Sequence, residues 1–233
     1  LVSLGADLNT VGRAGGAKYP RAHRPTDGSA IGPEVIRVLW KAAKDRKMDV
    51  RTQTRATEII MKDGRVAGVK ATTKDGKVYT IDAKAVVLAT GGFGANQDML
   101  VKYQPKLKGY ATTNQPGATG DGIIMATKIG AATTGMNYVQ VYPLATPGTG
   151  ALQGRARKMS GLDDVIDVNA QGLRFVKEDA RRDEFVAAIK KQPGGMCWDI
   201  NDSSIVQPVN SFAENVETVS YTHLRAHETK ANL

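Results

Sequence analysis

Five consecutive apolar residues, Ala85-Val86-Val87-Leu88-Ala89, run directly into Thr90-Gly91-Gly92-Phe93-Gly94. A short run without polar alternation is what a strand buried on both faces presents, and such strands belong to mostly parallel sheets covered by helices. Glycines at the carboxyl end of such a strand let the backbone approach a ligand closely, at the edge where α/β sheets bind nucleotides. The usual G-x-G-x-x-G fingerprint after a strand is absent. The run therefore predicts an α/β fold without naming its ligand.

The flanking sequence fills in the architecture. Gly32-Pro33-Glu34 predicts a helix start, with proline at the first helical position and an acid in the first turn. Val35, Val38, Leu39 and Ala42 recur at helical spacing, and Lys44, Arg46 and Lys47 place cations at the helix end. Strand-like runs follow at residues 50–54, 56–61, 66–72 and 78–81. The dipeptides Asp63-Gly64 and Asp75-Gly76, both hairpin signals, separate the last three. This reads as an α/β domain with an inserted antiparallel β-meander. Residues 96–103 predict a short helix, and residues 123–129 an apolar one. Between them a glycine-rich loop carries Asp121 between Gly120 and Gly122. A carboxylate there suits ribose or ribitol hydroxyls and lies at a helix start that favours anions; equally, glycines make turns and Asp121 caps the helix. Beyond Met136 the texture changes. Residues 138–142 read as a strand, followed by a second α+β segment, so a domain boundary is expected near Met136.

Composition narrows the function classes. The 233 residues suit one large domain or two small ones. The single Cys197 excludes an intrachain disulfide framework or thiolate metal cage. No apolar run approaches the ~20 residues of a membrane span. A net charge of +9 suits nucleic acid, an anionic membrane surface or small anions. The basic residues are spread along the chain without aromatic interleaving, which argues against nucleic acid.

Taken in order, Gly5-Ala6-Asp7-Leu8, Arg21-Ala22-His23-Arg24-Pro25-Thr26, Leu88-Ala89-Thr90-Gly91-Gly92-Phe93 and Thr113-Asn114-Gln115-Pro116-Gly117 resemble one family. It is the soluble fumarate reductase and flavocytochrome c flavoproteins, which include urocanate reductases. The runs Gly172-Leu173-Arg174-Phe175-Val176 and Arg182-Asp183 continue in register, so the resemblance covers residues 1–209. It implies FAD, held by a glutathione-reductase-like, Rossmann-type domain over residues 1–136, and a partial α+β capping domain over residues 137–218. It places a backbone contact to the adenine at Ala56, close backbone approach at Thr90, Gly91 and Gly92, and a carboxylate near FAD at Asp121. The family's N-terminal βαβ unit and its C-terminal glycine-rich segment have no counterpart, so the chain is expected to be the middle of such an enzyme.

The family transfers a hydride from reduced flavin to an α,β-unsaturated carboxylate and protonates the neighbouring carbon. The resemblance places its arginine proton donor at Arg182. Arginine is a poor acid, but its fixed charge stabilises an enolate-like intermediate that is itself strongly basic. Tyr142 stands where fumarate reductases carry a substrate-binding histidine, and a tyrosine there resembles the urocanate reductases. A phenol donates to a carboxylate or carbonyl without titrating at neutral pH. Where the family has an acid and a second arginine that relay protons, residues 150–158 contain no carboxylate. Either Asp163 or Asp164 takes that role or the relay differs, and Arg155 or Arg157 is left to bind an anionic substrate. The electron donor, whether haem, flavin or quinol, is open; no Cys-x-x-Cys-His for haem attachment is present. The compartment, cell envelope, periplasm or cytoplasm, is open too. Other readings are a flavin-dependent succinate, aspartate or ketosteroid dehydrogenase or oxidase, or a basic binding module without catalysis.

His23 is expected to support loops near the flavin. His223 and His227, with Glu228, have the spacing of a helical metal site. They lie, however, in a run, residues 220–229, that resembles translated sequencing-adapter DNA. Residues 219–233 are expected to be a non-native tail, and no metal site is expected. Without that tail, where Arg225 and Lys230 outnumber Glu228, the charge is still +8.

Overall fold

The computed structural model describes residues 1–14, 16–151 and 165–201. Their contacts fall into two compact units: Leu1–Met48, Val141–Leu144 and residues 165–201 in the first, Asp49–Gln140 and residues 145–151 in the second.

In the first unit the opening stretch, which shows no periodicity in sequence, forms a small antiparallel hairpin of β1 (Thr10–Gly12) and β2 (Ala22–Arg24). The ring of His23 meets the Leu8 carbonyl at 3.0 Å, which ties the strand to the preceding loop. Helix α1 (Ile31–Asp45) forms over the predicted stretch but starts at Ile31, two residues before Pro33, the predicted first helical position. It buries Val38, while Ile36, Leu39 and Trp40 stay exposed, so the buried stripe is narrower than the apolar spacing predicts. Glu34 anchors the helix: it accepts from the Asp7 amide at 2.7 Å and takes two bonds from Arg37. Asp7 in turn accepts from the amide and hydroxyl of Thr26. That network joins the Gly-Ala-Asp-Leu run to the Arg-Pro-Thr run. Strands β6 (Val165–Val168) and β7 (Trp198–Asn201) pair antiparallel, and α4 (Arg182–Ile189) buries Phe185 and Ile189.

The second unit holds the predicted meander. Strands β3 (Thr54–Lys62), β4 (Arg65–Thr73) and β5 (Val78–Asp82) pair antiparallel in sequence order. Asp63 and Gly64 have φ of 50° and 72°, the left-handed pair that a two-residue type I′ hairpin requires. Helix α2 (Gln97–Tyr103) is capped by the Asn96 side chain, which accepts from the Met99 amide. Helix α3 (Asp121–Lys128) starts two residues before the apolar run that predicts it. Ile59, Ala71, Leu100, Leu107 and Met125 form the buried apolar set of this unit.

Three sequence expectations are corrected. Residues 85–89 form no strand, and Val87 is 89% and Leu88 42% exposed. A strand exists only through its ladder, and the ladder ends where the Ala83 amide meets the Ala67 carbonyl. Of residues 50–54 only Thr54 enters a strand. Residues 138–142 follow a turn and pair with no strand among the described residues, with Tyr138 86% exposed. Among the described residues no helix is long and apolar enough to cross a membrane.

Candidate functional site

The predicted cofactor residues converge within the second unit. Two glycine stretches meet there: the Gly120 amide donates to the Gly92 carbonyl at 3.1 Å, and Thr90 packs on Gly122. The fit is close enough that a Cβ at Gly122 would stand 2.1 Å from the Thr90 hydroxyl oxygen. Gly120 caps α3 in the left-handed region with φ 77°, a conformation that favours glycine, and so places Asp121 in the first turn. Around Gly91 and Gly92 a Cβ would meet nothing within 4 Å, so their backbone is open to a ligand.

Asp121 is held from β3. Arg55 donates to both of its oxygens, Nε to Oδ2 at 2.7 Å and an Nη to Oδ1 at 2.9 Å, and the Thr119 hydroxyl adds a bond of 2.8 Å. The Arg55 guanidinium, aided by the Thr119 hydroxyl, holds the Asp121 carboxyl below its ordinary range despite partial burial. Bidentate pairing fixes the carboxylate plane and leaves acceptor capacity on an otherwise oriented group. Ala56 follows Arg55 on the strand, beside a β-bulge: the register runs Ala56 to Ala71 and then Glu58 to Lys70, leaving Thr57 as the extra residue. Bulges re-aim neighbouring groups. An open cavity of about 630 Å³ lies here, lined among others by Thr54, Arg55, Lys74, Gly117, Thr119 and Asp121. Open glycine backbone, an oriented acceptor and cationic walls are the donor set a dinucleotide requires, so these residues fit FAD.

The predicted catalytic residues meet within the first unit. The guanidinium of Arg182 lies over the Tyr142 ring, 5.1 Å from its centroid, within range for a cation–π contact. Arg182 is the first residue of α4, and Arg181 before it pairs with Asp183 and Glu184. The Arg-Phe-Val run fixes this helix. Phe175 meets Phe185 of α4 edge-on at 6.4 Å between centroids, and Arg174 pairs with Glu178. Glu178 is 7% exposed and accepts the Asp167 amide of β6. Burial raises its carboxyl, but the bonds from Arg174 and from the backbone outweigh this and hold it below its ordinary range. Arg155, Arg157, Asp163 and Asp164, with His223, His227 and the tail, lie outside the described residues. Among the described residues no group of three or more His, Cys, Asp and Glu side chains is placed to hold a metal.

Sequence reasoning missed Arg55 as the partner of Asp121, since 66 residues separate them. An arginine between Thr54 and Ala56 carries no local signal of such a bond.

Residues 4–217 match the family described as "FAD binding domain". The protein named "Fumarate reductase (cytochrome)" of Shewanella frigidimarina is 41% identical over 206 residues, covering 88% of this chain and 36% of that protein. The "Urocanate reductase" of Eggerthella lenta is 42% identical over 173 residues, 72% of this chain and 28% of that protein. Among solved structures, the open conformation of a flavocytochrome c3 fumarate reductase aligns with a TM-score of 0.70 at 38% identity. That match covers 96% of this chain and 38% of the other. The chain thus spans about a third of the length of the curated relatives it matches.

Proposed function

The chain belongs to the FAD binding domain family, whose cofactor is FAD, and we propose that it is part of a reductase of α,β-unsaturated carboxylates of the fumarate or urocanate type. The observation that carries this reading is the stacking of Arg182 on Tyr142, two residues forty positions apart that the family resemblance names separately as proton donor and substrate contact. The relatives support the reading, since their names are those of fumarate and urocanate reductases.

FAD, when bound and reduced by the enzyme's electron donor, would supply the hydride for the β-carbon. The residues of this chain bind, orient and protonate. Ala56 offers backbone to the adenine, Thr90, Gly91 and Gly92 allow close approach, and Asp121 accepts from a sugar or ribitol hydroxyl. Arg182 delivers its proton to the α-carbon and stabilises the negative charge that develops there. Tyr142 holds the guanidinium by its ring face and turns its hydroxyl to the substrate, and Arg155 binds a substrate carboxylate. We assign residues 1–136 to the FAD-binding part, 137–218 to the cap and 219–233 to a non-native tail. The whole chain is read as the middle of a longer enzyme whose electrons come from haem, flavin or quinol. The exposed Val87 and Leu88 support that, because a solvated apolar run is what a sheet strand shows without its neighbours.

The test is Arg182→Ala in the longer protein. The variant is expected to retain FAD and lose turnover of fumarate or urocanate. Turnover near the parent level would refute the assignment.

A further inference from the structure

We propose that Arg13 and Gly16 form a positioning clamp for Arg182; the inference rests on the reading of Arg182 as proton donor. The Gly16 amide donates to the Asp179 carbonyl at 2.9 Å. Arg13 reaches the Asp179 carboxylate at 3.5 Å, on a side chain that also pairs with Lys177 at 3.1 Å. Between these two ties the Gly16 backbone rests on Arg181. A Cβ at Gly16 would stand 2.9 Å from the Arg181 Cα, 3.1 Å from its Cγ and 3.4 Å from its Cβ. The nearest of these atoms is backbone, so no rotamer change relieves the contact.

Arg181 is not an incidental neighbour. It precedes the first residue of α4, and its carbonyl accepts the Phe185 amide at 2.9 Å as the first bond of that helix. Where Arg181 sits therefore sets where Arg182 begins, and Arg182 carries the guanidinium that stacks on Tyr142. Moving a carbon from 2.9 Å to an ordinary separation requires a shift of about 0.6–1 Å. A misplacement of that size costs roughly 10- to 100-fold in rate when it reaches a reacting group. The opening stretch thus gains a role of its own: its Arg13 and Gly16 hold the proton donor in place from far along the chain. Gly16, Arg13 and Asp179 are positioning residues, since none touches substrate in this account.

The experiment has two parts. In the isotope-labelled chain, the side-chain resonances of Arg182, assigned by their loss in Arg182→Lys, report the ring current of Tyr142. Gly16→Ala is expected to abolish that shift. Gly5→Ala imposes the same left-handed strain, with φ of 82° against 72°, but meets no atom within 4 Å; it is expected to leave the shift intact. An unchanged Arg182 shift in folded Gly16→Ala, or an equal loss in Gly5→Ala, overturns the clamp. If Gly16→Ala does not fold, Arg13→Gln, which adds no bulk, must reduce the shift, and no reduction overturns the clamp. In the longer protein, Gly16→Ala is expected to lower kcat about 10- to 100-fold with FAD content unchanged, and an unaltered kcat overturns the clamp. Parent-level turnover in Arg182→Ala would instead overturn the proton-donor reading, whatever Gly16→Ala does to the resonances.

Discussion

Gly122→Ala sets two opposed effects against each other. Replacing a helical glycine by alanine stabilises a helix by about 0.8–1 kcal/mol on propensity alone. Here, however, the new Cβ would stand 2.1 Å from the Thr90 Oγ1 and 3.1 Å from both its Cβ and Cγ2. Rotating the threonine moves the hydroxyl but replaces it with another tight neighbour, so the junction of the two glycine stretches must open. Overpacking of this kind costs about 1–3 kcal/mol. Steric cost offsets the propensity gain and at its upper end exceeds it, leaving a net destabilisation of up to about 2 kcal/mol. For a chain of this size that lowers Tm by up to about 8 °C. The assay is thermal unfolding of the chain followed by circular dichroism, for Gly122→Ala, Thr90→Ala and the double variant. Thr90→Ala removes the obstructing atoms, so the double variant should regain most of what Gly122→Ala loses. A higher Tm for Gly122→Ala alone, or strict additivity in the cycle, would refute the close contact between Thr90 and Gly122.

Arg55→Lys keeps a charge but not the fork on Asp121. It should cost only about 0.5 kcal/mol of stability, as exposed pairs do, yet weaken FAD binding several-fold in the longer protein; an unchanged Kd for FAD would separate Arg55 from the cofactor site. Glu34 is held down to about 2, first by its bonds from Arg37 and then by the Asp7 amide. Its folded value lies below its ordinary 4.5, so the stability it contributes is complete above 4.5 and is lost as pH falls through about 2. Glu34→Gln should therefore flatten the acid limb of Tm against pH between those values, and an identical limb in the variant would contradict the role given to Glu34. Tyr142→Phe preserves the ring under Arg182 and removes the hydroxyl. It is expected to raise the substrate KM with flavin content unchanged, and a KM equal to the parent's would remove the phenol from substrate binding.

The meander was legible because its information is local. Asp63-Gly64 demands a turn whose left-handed angles the backbone adopts, and alternation in the flanking runs sets the rest. Helix α1 was legible for a similar reason, since Pro33 and Glu34 mark its first turn wherever the chain goes, though it starts two residues earlier. Residues 85–89 and 138–142 were misread because apolar or aromatic content does not specify a partner, and a strand is defined by its partner. The site divided along the same line. Asp121 and the glycines were visible as a pattern of residue types next to one another. The bonds that give them geometry, from Arg55 to Asp121 and from Gly16 to Asp179, link residues far apart in sequence and depend on packing that no spacing encodes.

The central claim is tested most directly by a single turnover in the longer protein. FAD is reduced anaerobically, mixed with fumarate, urocanate or acrylate, and its reoxidation followed by absorbance, in the parent and in Arg182→Ala. The account predicts rapid reoxidation by at least one of these acids in the parent and none in the variant, with equal FAD content in both. Reoxidation at the parent rate in Arg182→Ala, or a parent that responds to none of the three, would contradict it.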